Sequence, residues 1–366
     1  MWLTNKKRFP IVMLLTVGVM PSFVKKWFYI LKGYKIGRNV HFGFGSVIIG
    51  ELVSIDDYTR IGLFAVIKSK NLKLGKHVNI GALTFFDSQE IEIGDYSIIR
   101  EQVYVGGMTT PKSILKIGKN VKIFQFTVLN TTDVLTIEDN VGIGGRCSIF
   151  THGSWQSILE GYPVQFAPVT IKTNVWLPWH VFVMPGVTIN EGATIAANSL
   201  VSTDVPAFSL VAGMPAKVIK GPPEYPKNIT TETKVDLFKN IIDDFVAFLK
   251  YFNVCVEVIE SADYIKTKLS WYNPKLFGKK KGSTDLLFLH RNREDIRSLI
   301  TNCSVLISLP TFPAETKDNL LREHVSWFDI ELKESGGDVT FITKEVNSFL
   351  SRYGIRFQNN YNKIKE

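Results

Sequence analysis

An apolar residue at every sixth position organises residues 169–220. These positions are Ile171, Leu177, Val183, Ile189, Ile195 and Val201. A period of six matches neither an α-helix, which repeats near 3.6, nor a lone strand, which repeats at 2. It predicts a chain that turns a corner every six residues and returns to its starting face. The stretch is therefore expected to form a parallel β-helix, stacked as a solenoid.

The same spacing extends back to the region of residue 36. Six earlier triplets have apolar residues six positions apart: Ile36, Phe42 and Ile48; Ile55, Ile61 and Ile67; Leu74, Ile80 and Phe86; Ile93, Ile99 and Val105; Ile117, Ile123 and Leu129; and Ile137, Ile143 and Ile149. Three faces of six residues make a triangular coil of about eighteen residues. Glycine often follows the apolar position, as at Gly43 and Gly62, and is expected to supply positive φ at the corners. A β-sandwich is excluded because its strands alternate at two.

One long interruption breaks the repeat after Ile149. The spacing resumes only near Val169, and residues 150–168 lie between (FTHGSWQSILEGYPVQFAP). A regular solenoid has no packing need for such a loop, and long loops on rigid scaffolds usually carry function. The loop contains His152, so the reactive group is expected there.

The closing coils carry a resemblance to a known family. The segment APVTIKTNVWLPWHVFVMPGVTINEGATIAANSLVSTDVPAFSLVAGMPAKVIK resembles the hexapeptide-repeat acyltransferases, especially their maltose, galactoside and xenobiotic acetyltransferase branch. The resemblance spans residues 36–220. It implies a left-handed β-helix, although parallel connections are normally right-handed. It also implies a homotrimer with acetyl-CoA as co-substrate in the crevice between adjacent subunits. The loop from THGSW to EGYP resembles sugar O-acetyltransferases of polysaccharide biosynthesis.

The resemblance also implies the roles of individual residues. His152 corresponds to the family's catalytic histidine, a general base for which a neutral imidazole is well suited. Positions expected to bind the coenzyme, with the two lysines near its phosphates, are Trp179, Ala197, Ser202, Thr203, Lys217 and Lys220. Positions expected near the sugar or glycan acceptor are Gln125, Asn130, Trp155 and Tyr162. Residues 177–180 depart from the family pattern, and this departure affects which length of acyl chain the thioester pocket is expected to accept.

The chain is expected to have three parts. Residues 1–33 form a helical segment. Its apolar run at 9–20 has basic flanks and is too short to span a bilayer, and residues 23–31 mix aromatic and basic side chains. The segment is expected to cap the solenoid, to contact a membrane peripherally through residues 9–31, or both. Residues 34–222 form the β-helix with its loop at 150–168. Residues 223–366 alternate helical patterns, including 231–252 and 293–300, with short apolar runs, which predicts a small α/β domain of unassigned role.

Charge and cysteine usage limit the partners. The net charge of +9 and a pI near 9.2 indicate an anionic partner, but no nucleic-acid-binding motif is present, so nucleic acid is not expected. The three scattered cysteines suit a reducing cytoplasm. The expected location is cytoplasmic, with a peripheral position at the inner face of the membrane as the alternative.

The predicted function is acetyl-CoA-dependent O-acetylation of a sugar hydroxyl in a bacterial surface polysaccharide or its precursor. Two alternatives stay open, namely N-acylation of an amino sugar and a non-catalytic trimeric scaffold that presents the C-terminal domain. A zinc hydrolase on this fold needs three histidine ligands. His41, His77 and His180 lack a closely spaced pair, so no metal is expected.

Overall fold

The computed structural model describes residues 10–275, 278–292, 296, 298–300 and 303–359, without the side chains of residues 272–281, 358 and 359. The first residue of the predicted segment 9–31 lies outside this range, as does part of the pattern at 293–300. Contacts divide the chain into two units, Met1–Asn228 and Ile229–Glu366.

The first unit is a parallel β-helix, as the repeat predicts. Its first face contains the strands Lys35–Ile36, Leu52–Ile55, Ile114–Ile117, Leu135–Ile137, Val169–Ile171 and Thr188–Ile189. Its second face contains His41–Phe42, Arg60–Ile61, Asn79–Ile80, Ile98–Ile99, Lys122–Ile123, Gly142–Ile143, Trp176–Leu177, Thr194–Ile195, Leu210–Gly213 and the antiparallel Ala216–Lys220. Its third face contains Val47–Ile49, Tyr104–Gly106, Val128–Asn130, Ser148–Ile149, Phe182–Val183 and Leu200–Val201. Two longer strands, Val66–Leu74 and Phe85–Ile93, run from the third face into the first.

The residues six apart form the core of this unit. Ile61, Ile80, Ile99 and their counterparts in other coils are almost fully buried and belong to one apolar cluster that runs through the coils. Each coil covers the apolar edge of the coil before it, so the structure gains stability by stacking.

Glycine serves a different purpose from the one that the sequence suggested. The glycines that follow the apolar positions do not have positive φ; non-glycine residues such as Tyr58 and Leu83 take that conformation at the corners. A Cβ on Gly43 would lie 2.6 Å from the carbonyl carbon of Gly62 in the next coil. Glycine is therefore needed because stacked backbones approach closely, and the prediction of positive φ at these positions is wrong.

Two short helices, α1 (Ile11–Leu15) and α2 (Ser22–Leu31), cover the open end of the first coil. The hydroxyl oxygens of Ser22 and Tyr29 accept hydrogen bonds from the backbone N–H groups of Phe42 and Ile48, at 2.9 and 2.8 Å. An exposed sheet edge would leave such donors available to other chains. The two helices therefore form a cap over this edge of the first coil. No helix in the described part of the chain has the length and apolarity that crossing a membrane requires.

Replacing Tyr29 with phenylalanine tests this cap. We expect a loss of about 1–3 kcal/mol of local stability, because the fully buried Tyr29 side chain would no longer accept the hydrogen bond of Ile48. Hydrogen exchange of the peptide that contains Ile48 should accelerate about tenfold or more. Tyr251→Phe is the control, since that side chain is 81% exposed. Unchanged exchange in Tyr29→Phe would show that the hydroxyl does not hold the coil edge.

The second unit is an α/β layer structure, as predicted for the C-terminal part. Its seven-stranded sheet has the order Cys255–Glu260, Tyr264–Lys275, Gly278–Leu289, Cys303–Ser308, Ser326–Asp329, Glu334–Gly336 and Gln358–Asn359. Helices α3 (Thr231–Tyr251) and α5 (Phe341–Leu350) pack on one face through a cluster that includes Phe245 and Phe288. Helix α4 (Ala314–Arg322) packs on the other face.

Candidate active site

The loop at 150–168 leaves the β-helix at the corner between its third and first faces. It begins with the strand His152–Gly153, which pairs antiparallel with Gln165–Phe166, and it contains a 3-10 turn at Ile158–Glu160. The strands Ser148–Ile149 before it and Val169–Ile171 after it keep their places in the stacked coils. The rigid coils therefore fix both ends of the loop. His152 lies close to the first of these fixed ends, three residues after Ile149.

One nitrogen of His152 is held by the preceding coil. Its Nδ1 lies 2.9 Å from Oδ1 of Asn130 and 3.1 Å from Oγ1 of Thr132. An amide oxygen can only accept a hydrogen bond, so Nδ1 carries the proton. The other nitrogen, Nε2, is then the one with a free electron pair. Among the described residues, none makes a hydrogen bond with Nε2.

The orientation of the Asn130 amide is itself fixed. Its Oδ1 accepts a hydrogen bond from the backbone N–H of Thr132 at 3.2 Å, and a backbone N–H can only donate. The Thr151 hydroxyl donates to the backbone carbonyl of Asn130 at 3.0 Å and accepts from the N–H of Asp133 at 2.9 Å. Because Asn130 is only 7% exposed, solvent competes little for these bonds. The tautomer of His152 is thus set by a buried polar network.

Aromatic rings surround the rest of the imidazole. The ring of Phe166 stacks on that of His152 with centroids 5.9 Å apart, and Phe150 lies at 6.2 Å. Burial by these neighbours lowers the pKa of His152 below its usual value. A lowered pKa keeps the imidazole neutral at neutral pH, which is the state that can accept a proton.

A second excursion, at residues 107–113, supports the same corner, and the sequence analysis missed it. The N–H of Met108 donates to Oγ1 of Thr132 at 3.1 Å, and Oγ1 of Thr110 donates to the Thr132 carbonyl at 2.7 Å. The available signal was the spacing of Val105 and Ile117, which are twelve residues apart where the other coils before the loop at 150–168 have seven or eight. Gly107 lies so close that a Cβ on it would be 2.5 Å from Thr132 Oγ1.

The positions predicted for the coenzyme lie in three places: the corner between the second and third faces, the corner between the third and first faces, and the last strand of the second face. Trp179 and Ala197 are at the corner between the second and third faces, where the N–H of Asn198 donates to the Trp179 carbonyl. Ser202 and Thr203 are exposed at the corner of His152, two coils further along. The structure of one chain does not bring all of these positions together with His152.

The two lysines predicted near the coenzyme phosphates, Lys217 and Lys220, are exposed on the strand that ends the second face. The Trp179 side chain is 44% exposed and rests on Gly145, where a Cβ would lie 2.5 Å from the indole ring. Trp179 therefore fits its corner because the preceding coil has a glycine there.

The positions predicted for the acceptor also separate. Asn130 contacts His152 directly and can therefore position the imidazole ring. Trp155 is 98% exposed and Tyr162 is 42% exposed on the loop. Gln125 is partly buried at the corner between the second and third faces, where its carbonyl accepts the N–H of Arg146. Only Asn130 of this group touches the histidine.

A metal centre has no counterpart in the part of the chain that the structure describes. No group of three or more histidine, cysteine, aspartate or glutamate side chains converges there.

Comparison with known proteins relates the β-helix to acetyltransferases. The galactoside O-acetyltransferase of Escherichia coli K12 is 35% identical over 111 residues, which cover 30% of this chain and 54% of that protein. The chain thus spans about half of the length of that relative. No family model matches. The match confirms the predicted resemblance to the hexapeptide-repeat acetyltransferases.

Solved structures with a similar backbone include two acetyltransferases. One is a hexapeptide-repeat acetyltransferase of Vibrio cholerae complexed with acetyl coenzyme A, 23% identical, covering 41% of this chain and 70% of that chain with a TM-score of 0.28. The other is a maltose O-acetyltransferase of Clostridium difficile, 24% identical, covering 41% and 68% with a TM-score of 0.27.

Proposed function

We propose that this protein is an acetyl-CoA-dependent O-acetyltransferase that esterifies a sugar hydroxyl of a bacterial surface polysaccharide or its precursor. The observation that carries the proposal is the pairing of His152 Nδ1 with Asn130 Oδ1 at 2.9 Å, which leaves Nε2 as a base. The sequence similarity to a galactoside O-acetyltransferase supports the same chemistry. A cytoplasmic location belongs to the proposal, and the free cysteines Cys147, Cys255 and Cys303 are compatible with it.

The proposed reaction is a direct transfer. Nε2 of His152 takes the proton of the acceptor hydroxyl as its oxygen attacks the thioester carbonyl. The imidazolium that forms keeps its Nδ1–H on Asn130 Oδ1, which stabilises the positive charge. The tetrahedral intermediate then expels the coenzyme A thiolate, which takes up the proton from Nε2. The products are an acetyl ester and free coenzyme A, and the base returns to its starting state.

We also propose that three copies of the chain form the working enzyme. The positions expected to bind the coenzyme at the second–third corner, Trp179 and Ala197, lie on a different edge of the coil from His152. A neighbouring copy would bring its own second–third corner against the edge that carries the histidine. Large apolar side chains exposed along that corner support such a contact: Phe44, Leu63, Phe64, Leu83 and Phe126.

Acceptor-dependent release of coenzyme A tests the proposed function. The full chain is incubated with acetyl-CoA and a panel of neutral, amino and acidic sugars, and free thiol is followed with time. We expect release that requires a hydroxyl acceptor and gives a base-labile ester. No release with any acceptor, together with no binding of coenzyme A by calorimetry, would favour the scaffold alternative instead.

Substitution of Gly107 by alanine should impair the same reaction without touching the acceptor. The new Cβ would displace Thr132 and Asn130, and small displacements of catalytic groups cost roughly 10- to 100-fold in rate. We expect kcat/KM to fall by that factor while the unfolding midpoint changes little. Gly221→Ala is the matched control, because a Cβ there meets no atom within 4 Å. Equal rates for the two variants would contradict the role of this corner.

A further inference from the structure

The two helices at the start of the described chain have one face fixed against the β-helix. Lys25 is fully buried, and its Nζ donates to the carbonyl oxygens of Gly43 and Ser46 at 2.6 and 3.0 Å. Tyr29 is also fully buried beneath the first coil. These contacts prevent α2 from rotating to hide its other face, so that face stays outward.

The outward face is apolar over both helices. Phe23 is 68% exposed, Trp27 66% and Leu31 83%. The other large apolar side chains exposed on this segment are Ile11, Val12, Leu15, Val19 and Ile30. Soluble surfaces rarely gather this many large apolar side chains in one segment, and such a patch marks an interaction site. We call residues 11–31 with this exposed side the cap face.

Nearly all of the net charge of the chain belongs to its first 50 residues. Residues 1–50 contain eight lysines and arginines and no aspartate or glutamate. The remaining 316 residues have 35 basic and 34 acidic side chains, from totals of 43 and 34. Among those that the structure describes, Lys25 is buried as above, Lys26 donates to the carbonyl oxygen of Gly37 at 2.7 Å, and Arg38 pairs with Asp57 at 3.3 Å. Lys32 and Lys35 are exposed. The stretch of sequence without acidic residues therefore contains the whole cap face.

We propose that the cap face binds the surface of a membrane that contains anionic lipids. Aromatic and aliphatic side chains on a short helix with basic neighbours enter the boundary between headgroups and acyl chains. The basic side chains add attraction to the negative surface potential of such a membrane. A protein partner would also cover an apolar face, but the excess of basic over acidic side chains in residues 1–50 matches an anionic lipid surface. The inference does not rest on the proposed enzymatic function.

Vesicle flotation tests the proposal with the full chain. Vesicles of phosphatidylcholine alone are compared with vesicles that contain about 30% phosphatidylglycerol, at low salt and at about 0.5 M salt, where the screening length is short. We expect co-flotation with the anionic vesicles, at least about tenfold weaker binding to the neutral ones, and weakening by salt. No co-flotation, or equal binding to both kinds of vesicle, would overturn the proposal.

Variants distinguish vesicle binding by the cap face from nonspecific adsorption of the protein. The double variant Phe23→Glu and Trp27→Glu should lower the partition coefficient at least about tenfold, because two apolar anchors are lost and two negative charges are added. Phe341→Glu is the matched control, since Phe341 is 69% exposed near the start of another helix. A double variant that binds vesicles as the wild type does, or that instead dissociates an oligomer in gel filtration, would show that the face contacts protein and overturn the proposal.

Discussion

Replacement of His152 with asparagine is expected to lower acetyl transfer by about 10²- to 10⁴-fold, the range that general base catalysis contributes. Asparagine has no group that takes a proton from a hydroxyl near neutral pH. The substitution keeps a polar side chain of similar size against Asn130, so the loop and the binding of coenzyme A should persist. Steady-state thiol release measures the rate, and calorimetry measures the binding.

His180 offers a closely matched control for this experiment. Its Nδ1 lies 3.1 Å from Oδ1 of Asn198, so it repeats the histidine–asparagine pairing at a different corner. It is exposed and has φ of 60°, a conformation that asparagine tolerates well. His180→Asn should therefore keep the fold of its corner and lower acetyl transfer far less than His152→Asn does. Loss of activity in His180→Asn with retention of activity in His152→Asn would show that the general base is His180 and not His152.

The second large effect is expected at Asn130. Asn130→Asp keeps an acceptor for Nδ1 but places a negative charge beside the ring, which should raise the pKa of His152 by about one to three units. In the wild type, burial lowers this pKa, so the neutral base persists down to mildly acidic pH. In the variant the imidazole stays protonated to higher pH, and protonated imidazole is not a base. The acid limb of the kcat/KM profile should therefore move to higher pH by the same amount.

Asn130→Ala separates the charge effect from positioning. Without the amide oxygen, the ring loses the contact that sets its tautomer and orientation, and the rate should fall roughly 10- to 100-fold at every pH. A purely structural role would lower activity equally in the Asp and Ala variants with no displacement of the profile. Identical pH profiles for the wild type and Asn130→Asp would therefore contradict the positioning role.

The sequence predicted the scaffold well because one local pattern repeats through it. A residue buried at every sixth position is visible without any knowledge of distant contacts, and Ile61, Ile143 and Ile195 all lie in the core. The same pattern exposed its own interruption, which led directly to His152. The fold class and the position of the candidate loop therefore followed from spacing.

The contacts of the site could not be read from spacing alone. Asn130 and His152 are 22 residues apart, and only the stacking of their two coils sets their distance. The close approach at Gly43 likewise depends on the next coil. In the C-terminal unit, the strand Tyr264–Lys275 was missed because Lys266 and Lys268 alternate with apolar residues instead of forming an apolar run.

Analysis of the reaction product tests the central claim most directly. Wild type and His152→Asn are incubated side by side with acetyl-CoA and the best acceptor sugar, and the product is identified by mass spectrometry before and after mild base. The prediction is an O-acetyl ester from the wild type and at least about a hundredfold less of it from the variant. A base-stable amide as the product, or equal ester formation by the two proteins, would contradict it.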